Sequence, residues 1–270
     1  MTQITADKRR AFRALHEAGC FVIPNPWDVG SALALQSLGF KALASTSAGM
    51  AWSMGEADGK VGLEDVLAHL TDLAGRLDVP LNADFENGFA DAPEGVAANV
   101  ARAVGTGVAG LSVEDSTGDP AAPLYDFDLA VARVAAARAA IEAIDPAVML
   151  TARSEGFIRG RPDLPETLRR LTAYAEAGAD CLYAPGLREP DHIRAVVEAV
   201  APRPVNLLTP GLAVAEVAAL GVRRISVGGS LARTAWGEFL RAAREIATDG
   251  TFTAFSRGAP GGELNRMFGG

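Results

Sequence analysis

Short β-prone runs alternate with longer amphipathic ones eight times, which predicts an α/β chain folded as one (β/α)8 TIM barrel. Each unit takes roughly 30 residues, and eight units exceed the about five or six strands of an ordinary open doubly wound sheet. No linker or shift of composition divides the 270 residues. Residues 1–250 are therefore assigned to a single-domain barrel and 251–270 to a C-terminal tail.

Taken in order, residues 21–23 form the first predicted strand. Pro24, Asn25, Pro26, Trp27 and Asp28 follow as turn chemistry, with Asp28 capping a helix to 38. Strand two covers 41–45, a long loop spans 47–62, and a helix runs from 62 to 77. Strand three covers 80–86. A helix over 92–104 is stopped by Gly105 and Gly107. Strand four is 110–114, followed by an Ala-rich helix over 128–144. Strand five is 148–153 with a helix over 164–177, strand six 180–184 with a helix over 189–200, and strand seven 204–208 with a short helix to 220. Strand eight is 223–227, and the last helix covers 230–247. The tail from Phe252 is Gly-rich beyond Arg257 and is expected to be partly disordered or to contact a neighbouring subunit.

Composition excludes several classes of function. Hydrophobic residues at 49% suffice to fill a barrel interior and to cover eight helices, and charged residues at 21% do not suit a disordered chain. The net charge is −8, and Lys8, Arg9 and Arg10 are too short a basic run to read as a nucleic-acid stripe. No apolar run reaches the ~18 residues that span a membrane. The N-terminus lacks the apolar core of a signal peptide, so a cytoplasmic location is expected. Cys20 and Cys181 are far apart and read as buried small hydrophobes.

In a barrel the chemistry sits at the carboxyl ends of the strands. Strand three ends with Asp84 and Glu86, whose i, i+2 spacing on a strand points both side chains one way. Strand four ends with Glu114 and Asp115. Acids converging on one mouth repel unless a cation lies between them, and an oxygen-only set suits Mg²⁺ or Mn²⁺. The plainer reading pairs these acids with arginines such as Arg153, or makes them helix caps. Arg153 at the end of strand five can grip a carboxylate bidentately. Ser45, Thr46, Ser47, Ala48 and Gly49 offer small side chains and backbone N–H groups as a cradle for a carboxylate. Gly228 and Gly229 read as close packing rather than as a phosphate loop. His16, His69 and His192 fall in helical segments and read as packing or surface residues.

These segments resemble the isocitrate lyase/phosphoenolpyruvate mutase superfamily, in particular its small phosphonomutase-like and oxaloacetate-decarboxylase-like enzymes. The resemblance runs from about Phe12 to Phe239. It is carried by the segment from Pro24 to Asp28, by Thr46 to Met50 with Gly55 to Gly59, and by Asn82 to Phe89. Gly107 to Asp115, Thr151 to Arg153 and Gly221 to Gly229 complete it. It implies metal binding by Asp84, Glu86 and Glu114, with Asp58 reaching the metal through water. It also implies substrate binding by Arg153 and by Thr46, Ser47 and Ala48, and catalytic roles for Arg153, Asp58 and Glu114. The implied chemistry is Mg²⁺-assisted stabilisation of a pyruvate enolate as a C–C or P–C bond breaks. Partners would be a small oxo or hydroxy acid and further copies of the chain, a dimer or tetramer exchanging residues 230–270.

Departures from the pattern narrow the reading. Residues 116–125 contain no Cys, Lys or His, where the lyases carry a catalytic Cys and the phosphonate enzymes a Lys and an Asn. Strand six ends Tyr183, Ala184, Pro185, without the mutase's His. What remains is the enolate-stabilising half of a site, which suits a C–C lyase or decarboxylase acting on oxaloacetate or a similar oxo-diacid. The alternatives are a P–C bond enzyme acting on phosphonopyruvate and a non-catalytic barrel that binds an oxo acid.

Overall fold

The computed structural model describes residues 2–208 and 211–269, so Met1 of the predicted barrel and Gly270 of the predicted tail lie outside the described residues. Eight parallel strands form one nearly closed barrel: β1 (Phe21–Ile23), β2 (Leu43–Ala44), β3 (Leu81–Asp84), β4 (Gly110–Glu114), β5 (Met149–Arg153), β6 (Cys181–Tyr183), β7 (Val205–Leu208) and β8 (Arg224–Ser226). The sheet order runs β1-β8-β7-β6-β5-β4-β3-β2. The remaining seam is bridged just past β1, where Ala44 N–H donates to Pro24 O at 3.1 Å.

Eleven α-helices are found among the described residues. α1 (Gln3–Leu15) precedes the barrel. α2 (Val29–Ser37), α3 (Ser47–Ser53), α4 (Leu63–Arg76), α5 (Pro93–Gly105) and α6 (Phe127–Ile144) follow the first strands. α7 (Leu164–Glu176), α8 (Pro190–Val200), α9 (Val214–Ala219) and α10 (Ser230–Asp249) follow the rest, and α11 (Gly261–Met267) closes the chain after a 3₁₀ turn (Thr253–Arg257). Asp28 caps α2 as its position predicts: its carboxylate accepts from Ser31 N–H at 2.6 Å, and the Ser31 hydroxyl accepts in return from Asp28 N–H. The predicted loop over 47–62 is corrected in its first half, where Thr46 caps α3. The tail is helical and touches α2 through α11. No described helix is long and apolar enough to cross a membrane.

Strand alternation divides the sheet into two faces of opposite character. Leu43, Leu81, Ala83, Leu111, Val113, Leu150, Ala152, Leu182, Val205, Leu207 and Ile225 point outward and join the helices in the main apolar core. The inward set is polar: Asn82, Ser112, Thr151, Asn206, Arg224 and Ser226 are all buried. The expectation of an apolar interior therefore holds only at the amino end. There α1 drives the fully buried Phe12 against Ile23, Ala42, Ala44, Ala109 and Met149. Gly110 is required at that point, since a Cβ would lie 2.7 Å from the Phe12 ring. Arg9 anchors α1 there through Val104 O, Val108 O and Asp145 at 2.6 Å.

Candidate active site

The carboxyl ends of β2, β3, β4 and β5 meet around one guanidinium. Arg153 Nη1 lies 2.7 Å from Asp84 Oδ1, Nη2 lies 3.0 Å from Glu114 Oε2, and Nε donates to Glu155 Oε1 at 3.0 Å. The other oxygen of Asp84 accepts from both the backbone N–H and the hydroxyl of Ser47, at 3.0 and 2.9 Å. Ser45 Oγ accepts from the Asp84 N–H at 2.9 Å. Asn25 ties the neighbouring strand ends together: its amide donates to Ser45 O, and its oxygen accepts from Val227 and Gly228 N–H, all at 2.9 Å. Arg159, on the loop after β5, adds a second guanidinium 3.3 Å from Glu114 and 3.7 Å from Glu155.

Two adjoining cavities open on this cluster and share Ser47, Asp58, Arg153 and Ile158 as a common wall. The outer one, of about 460 Å³, is lined by Asp58, Glu86, Glu114, Glu155 and Arg159, with residues 116–118 at its rim. The inner one, of about 210 Å³, runs down the barrel axis past Asp84, Tyr183, Asn206 and Ser226 to Arg224. Around the two, five carboxylates (Asp58, Asp84, Glu86, Glu114, Glu155) face three guanidinium groups (Arg153, Arg159, Arg224) and one ammonium, Lys60, with the acids gathered at the mouth and Arg224 at the far end of the inner cavity.

That imbalance shifts the acids. Glu86 is pushed up to about 7, first by desolvation and then by the charges of Asp84 and Asp58. Asp58 is raised by partial desolvation and by Asp84. Burial raises Glu114 against the pull of Arg153, and the same holds for Glu155. Arg153, enclosed by acids, is held well above its ordinary value although burial opposes this. Tyr183 is pushed up to about 12, chiefly by burial; its ring lies 5.2 Å from the Arg153 guanidinium.

The donor set fits a hard divalent cation in its chemistry: it is all oxygen, it carries excess negative charge, and Glu155 Oε2 is buried without a hydrogen-bond partner. Among the described residues, no three acids are already grouped as a metal shell. Arg153 stands where they converge, so the plainer reading of these acids as arginine partners describes Asp84 and Glu114 as they are placed here.

Asp58, Asp84, Glu86, Glu114 and Arg153 are thus brought to one mouth, with Thr46, Ser47 and Ala48 on its wall. The route by which Glu86 gets there differs from the strand argument. β3 ends at Asp84, and Glu86 sits beyond it with φ +44°, a left-handed conformation that non-glycine residues seldom adopt. Asp115, adjacent to Glu114, faces the opposite way. It accepts from Glu155 N–H at 2.8 Å, from the Tyr174 hydroxyl at 2.7 Å and from Arg170 at 3.1 Å. Gly228 and Gly229 do serve close packing: a Cβ on Gly229 would lie 3.1 Å from Trp52. His16 is buried just past the end of α1. Sequence reasoning missed Arg159 and Arg224. For Arg224 the signal was available, because it occupies an inward position two residues before Ser226 in β8.

A family model described as phosphoenolpyruvate phosphomutase matches residues 12–247. A crystal structure of a Burkholderia cenocepacia protein described as a lyase/mutase superimposes with TM-score 0.96. It is 47% identical, covering 100% of this chain and 98% of that one. The oxaloacetate decarboxylase of Chromohalobacter salexigens is 30% identical over 261 residues, covering 89% of this chain and 87% of its own. A phosphonopyruvate hydrolase solved with oxalate and Mg²⁺ gives TM-score 0.85 at 26% identity, over 97% of this chain and 95% of that one.

Proposed function

Because the chain belongs to the phosphoenolpyruvate phosphomutase family, within the phosphoenolpyruvate mutase/isocitrate lyase superfamily, we propose that it is a Mg²⁺-dependent carbon–carbon lyase that decarboxylates oxaloacetate or a similar oxo-diacid. The observation that carries this reading is the pairing of an acid cluster around Arg153 with a segment after β4 that carries no Cys, Lys or His. Residues 116–126 fold into a small hairpin, bridged between Ser116 and Leu124, that holds no Cys, Lys or His. An oxaloacetate decarboxylase among the relatives, aligned over most of both chains, supports the same reaction. The related phosphonopyruvate hydrolase solved with oxalate and Mg²⁺ supports the metal.

Asp84, Glu86 and Glu114 would hold Mg²⁺ or Mn²⁺, with Asp58 acting through water. When bound, the ion supplies a Lewis acid that draws charge from the oxo group as the carbon–carbon bond breaks. Arg153 and the segment of Thr46, Ser47 and Ala48 orient the oxo acid's carboxylate. The C3–C4 bond of oxaloacetate breaks, CO₂ leaves, the electron pair stays as a pyruvate enolate, and a proton at C3 completes pyruvate. Residues 116–118 and Arg159 rim the outer cavity at the barrel mouth.

The test is pyruvate release from oxaloacetate by protein with Mg²⁺, against Mg²⁺ alone, with Asp84→Ala as control. Release no faster than the metal-only rate sinks the reading. Phosphate from phosphonopyruvate would replace it with P–C chemistry, and Mg²⁺-dependent binding without turnover would replace it with an oxo-acid-binding barrel.

The active form is proposed to be a homodimer or homotetramer built through residues 230–270. Within α10 only Ala232 is buried, while Leu231, Trp236, Phe239, Leu240 and Ile246 are exposed, and Phe252, Phe255 and Phe268 extend the same apolar character. The unpaired Cys20 and Cys181 suit a reducing, cytoplasmic compartment.

A further inference from the structure

We propose that Arg224 is an anion subsite at the floor of the inner cavity, which receives the second carboxylate of a dicarboxylic acid whose first end lies at the Arg153 mouth. The proposal rests on the oxo-acid reading above and adds to it the diacid specificity and the residue that confers it.

Arg224 lies inside the barrel and is 3% exposed. Its Nε donates to Asn206 Oδ1 at 2.8 Å, its Nη2 donates to Thr151 Oγ1 at 3.0 Å, and its Nη1 faces His16 Nε2 at 3.3 Å. All three partners are neutral groups; the His16 ring is bonded through Nδ1 to Phe12 O, which leaves Nε2 as the acceptor. Among the described residues no carboxylate forms an ion pair with Arg224. Four other enclosed arginines differ. Arg9, Arg138, Arg153 and Arg170 each meet a carboxylate within 3.1 Å. Arg133 is held by the carbonyls of Asn87, Ala90 and Asp91 and by the face of Tyr125.

A buried cation without an anion is costly, and chains seldom keep one unless something pairs with it. A guanidinium has five N–H donors, and the contacts above use three. The same cavity wall carries Asn82 Oδ1, a buried acceptor without a hydrogen-bond partner. The shaft between these groups is therefore polar, incompletely satisfied within the chain, and continuous with the mouth through the cavity of about 210 Å³. Charge is polarised along it. Acids dominate the mouth, where a cation is called for, and the floor carries an isolated positive charge. A short ligand that chelates a metal at one end and bears a carboxylate at the other matches both ends at once. A monocarboxylate leaves the floor unmet. A mere brace across the barrel, from β8 to β5, β7 and α1, would affect stability and leave ligand choice alone.

The experiment compares L-malate with 2-hydroxybutyrate, which share a four-carbon α-hydroxy acid skeleton and differ in a second carboxylate against a methyl. Affinities are measured by calorimetry on the full chain in Mg²⁺ buffer. Wild type is expected to prefer malate at least tenfold. Arg224→Met should bring the preference within twofold while the 2-hydroxybutyrate affinity stays unchanged. Ser112→Leu, which narrows the shaft and keeps the Arg224 guanidinium in the chain, should do the same, and it keeps the test open if Arg224→Met does not fold. Absence of a preference in wild type, or its persistence in either variant, overturns the proposal. Pyruvate formation from oxaloacetate is assayed alongside. Decarboxylation without malate preference removes only the floor subsite, and preference without decarboxylation removes only the lyase reading.

Discussion

Arg153 Nη1 and Asp84 Oδ1 lie 2.7 Å apart, joining the ends of β5 and β3 across β4, whose own Glu114 takes the other terminal nitrogen at 3.0 Å. The guanidinium thus neutralises the same carboxylates that are proposed to hold a divalent cation. Removing it should leave Asp84, Glu114 and Glu155 mutually repelling in a buried site, at a cost of about 3–5 kcal/mol. Arg153→Met is expected to melt at a lower temperature in EDTA and to recover more on adding Mg²⁺ than wild type does. Its oxaloacetate turnover should fall by about 10²-fold or more. Equal stabilisation of both proteins by Mg²⁺, read by differential scanning fluorimetry, would show that arginine and cation do not share these acids.

Glu114 and Asp115 illustrate how one step along the chain reverses a role. Glu114 ends β4 facing the mouth, whereas Asp115 turns outward to Arg170, Tyr174 and the Glu155 backbone. Asp115→Ala leaves Arg170 with Glu166 at 2.8 Å but takes the acceptor from the buried Tyr174 hydroxyl and the Glu155 N–H, and should destabilise by about 1–3 kcal/mol. Mg²⁺ affinity should stay within twofold of wild type. Urea unfolding checks the first part; a loss below about 1 kcal/mol would mean the contacts are dispensable.

The barrel was legible because its signal is repeated: each strand is a short apolar run with turn chemistry at its end, and errors at single boundaries do not disturb eight units. The mouth acids were legible because the fold itself says where strand ends matter. Glu86 reaches the mouth for a reason the sequence could not supply, since nothing in a period-2 pattern announces a residue at φ +44°. The polar shaft was missed for a related reason. Hydrophobic content was counted for the whole chain, although the outward-facing residues absorb nearly all of it. Arg224 is visible only once β8 is given a register that makes its inward side chains Arg224 and Ser226. The α3 helix was read as loop because seven residues capped by Thr46 carry too little periodicity to stand out.

Trp236 and Phe239 meet edge to face at 5.5 Å on the outer side of α10, and Phe239 is 59% exposed. A side chain of that size buried in an interface contributes about 1.5–3 kcal/mol. Trp236→Asp combined with Phe239→Asp should convert a dimeric or tetrameric wild type to monomer in size-exclusion chromatography with light scattering. A wild type that is monomeric at micromolar concentration contradicts the proposed assembly outright.

His16 offers a pH-dependent handle on the barrel floor. Its ring is buried between Phe12 and Phe21, each in an edge-on contact, with Arg224 at 3.3 Å and Arg13 nearby. Burial first, then the Arg224 charge, lower it from 6.5 to about 3, against a hydrogen bond to Phe12 O that favours the proton; Arg13 lowers it further. The unfolded chain takes up this proton near 6.5 and the folded chain only near 3. Between those values the unfolded state binds more protons, so acid favours unfolding. The stability contribution is fully present above pH 6.5 and is lost progressively as pH falls toward 3. At 1.36 kcal/mol per unit, the loss from pH 6.5 to pH 5 is about 2 kcal/mol for this one group. His16→Gln removes the titration, so its stability should fall less than wild type's over that window by about this amount. Urea midpoints at pH 7, 6 and 5 measure the difference. Parallel pH dependences for the two proteins would mean that His16 is accessible to protons in the folded state, and that the floor around Arg224 is open to water rather than sealed by α1.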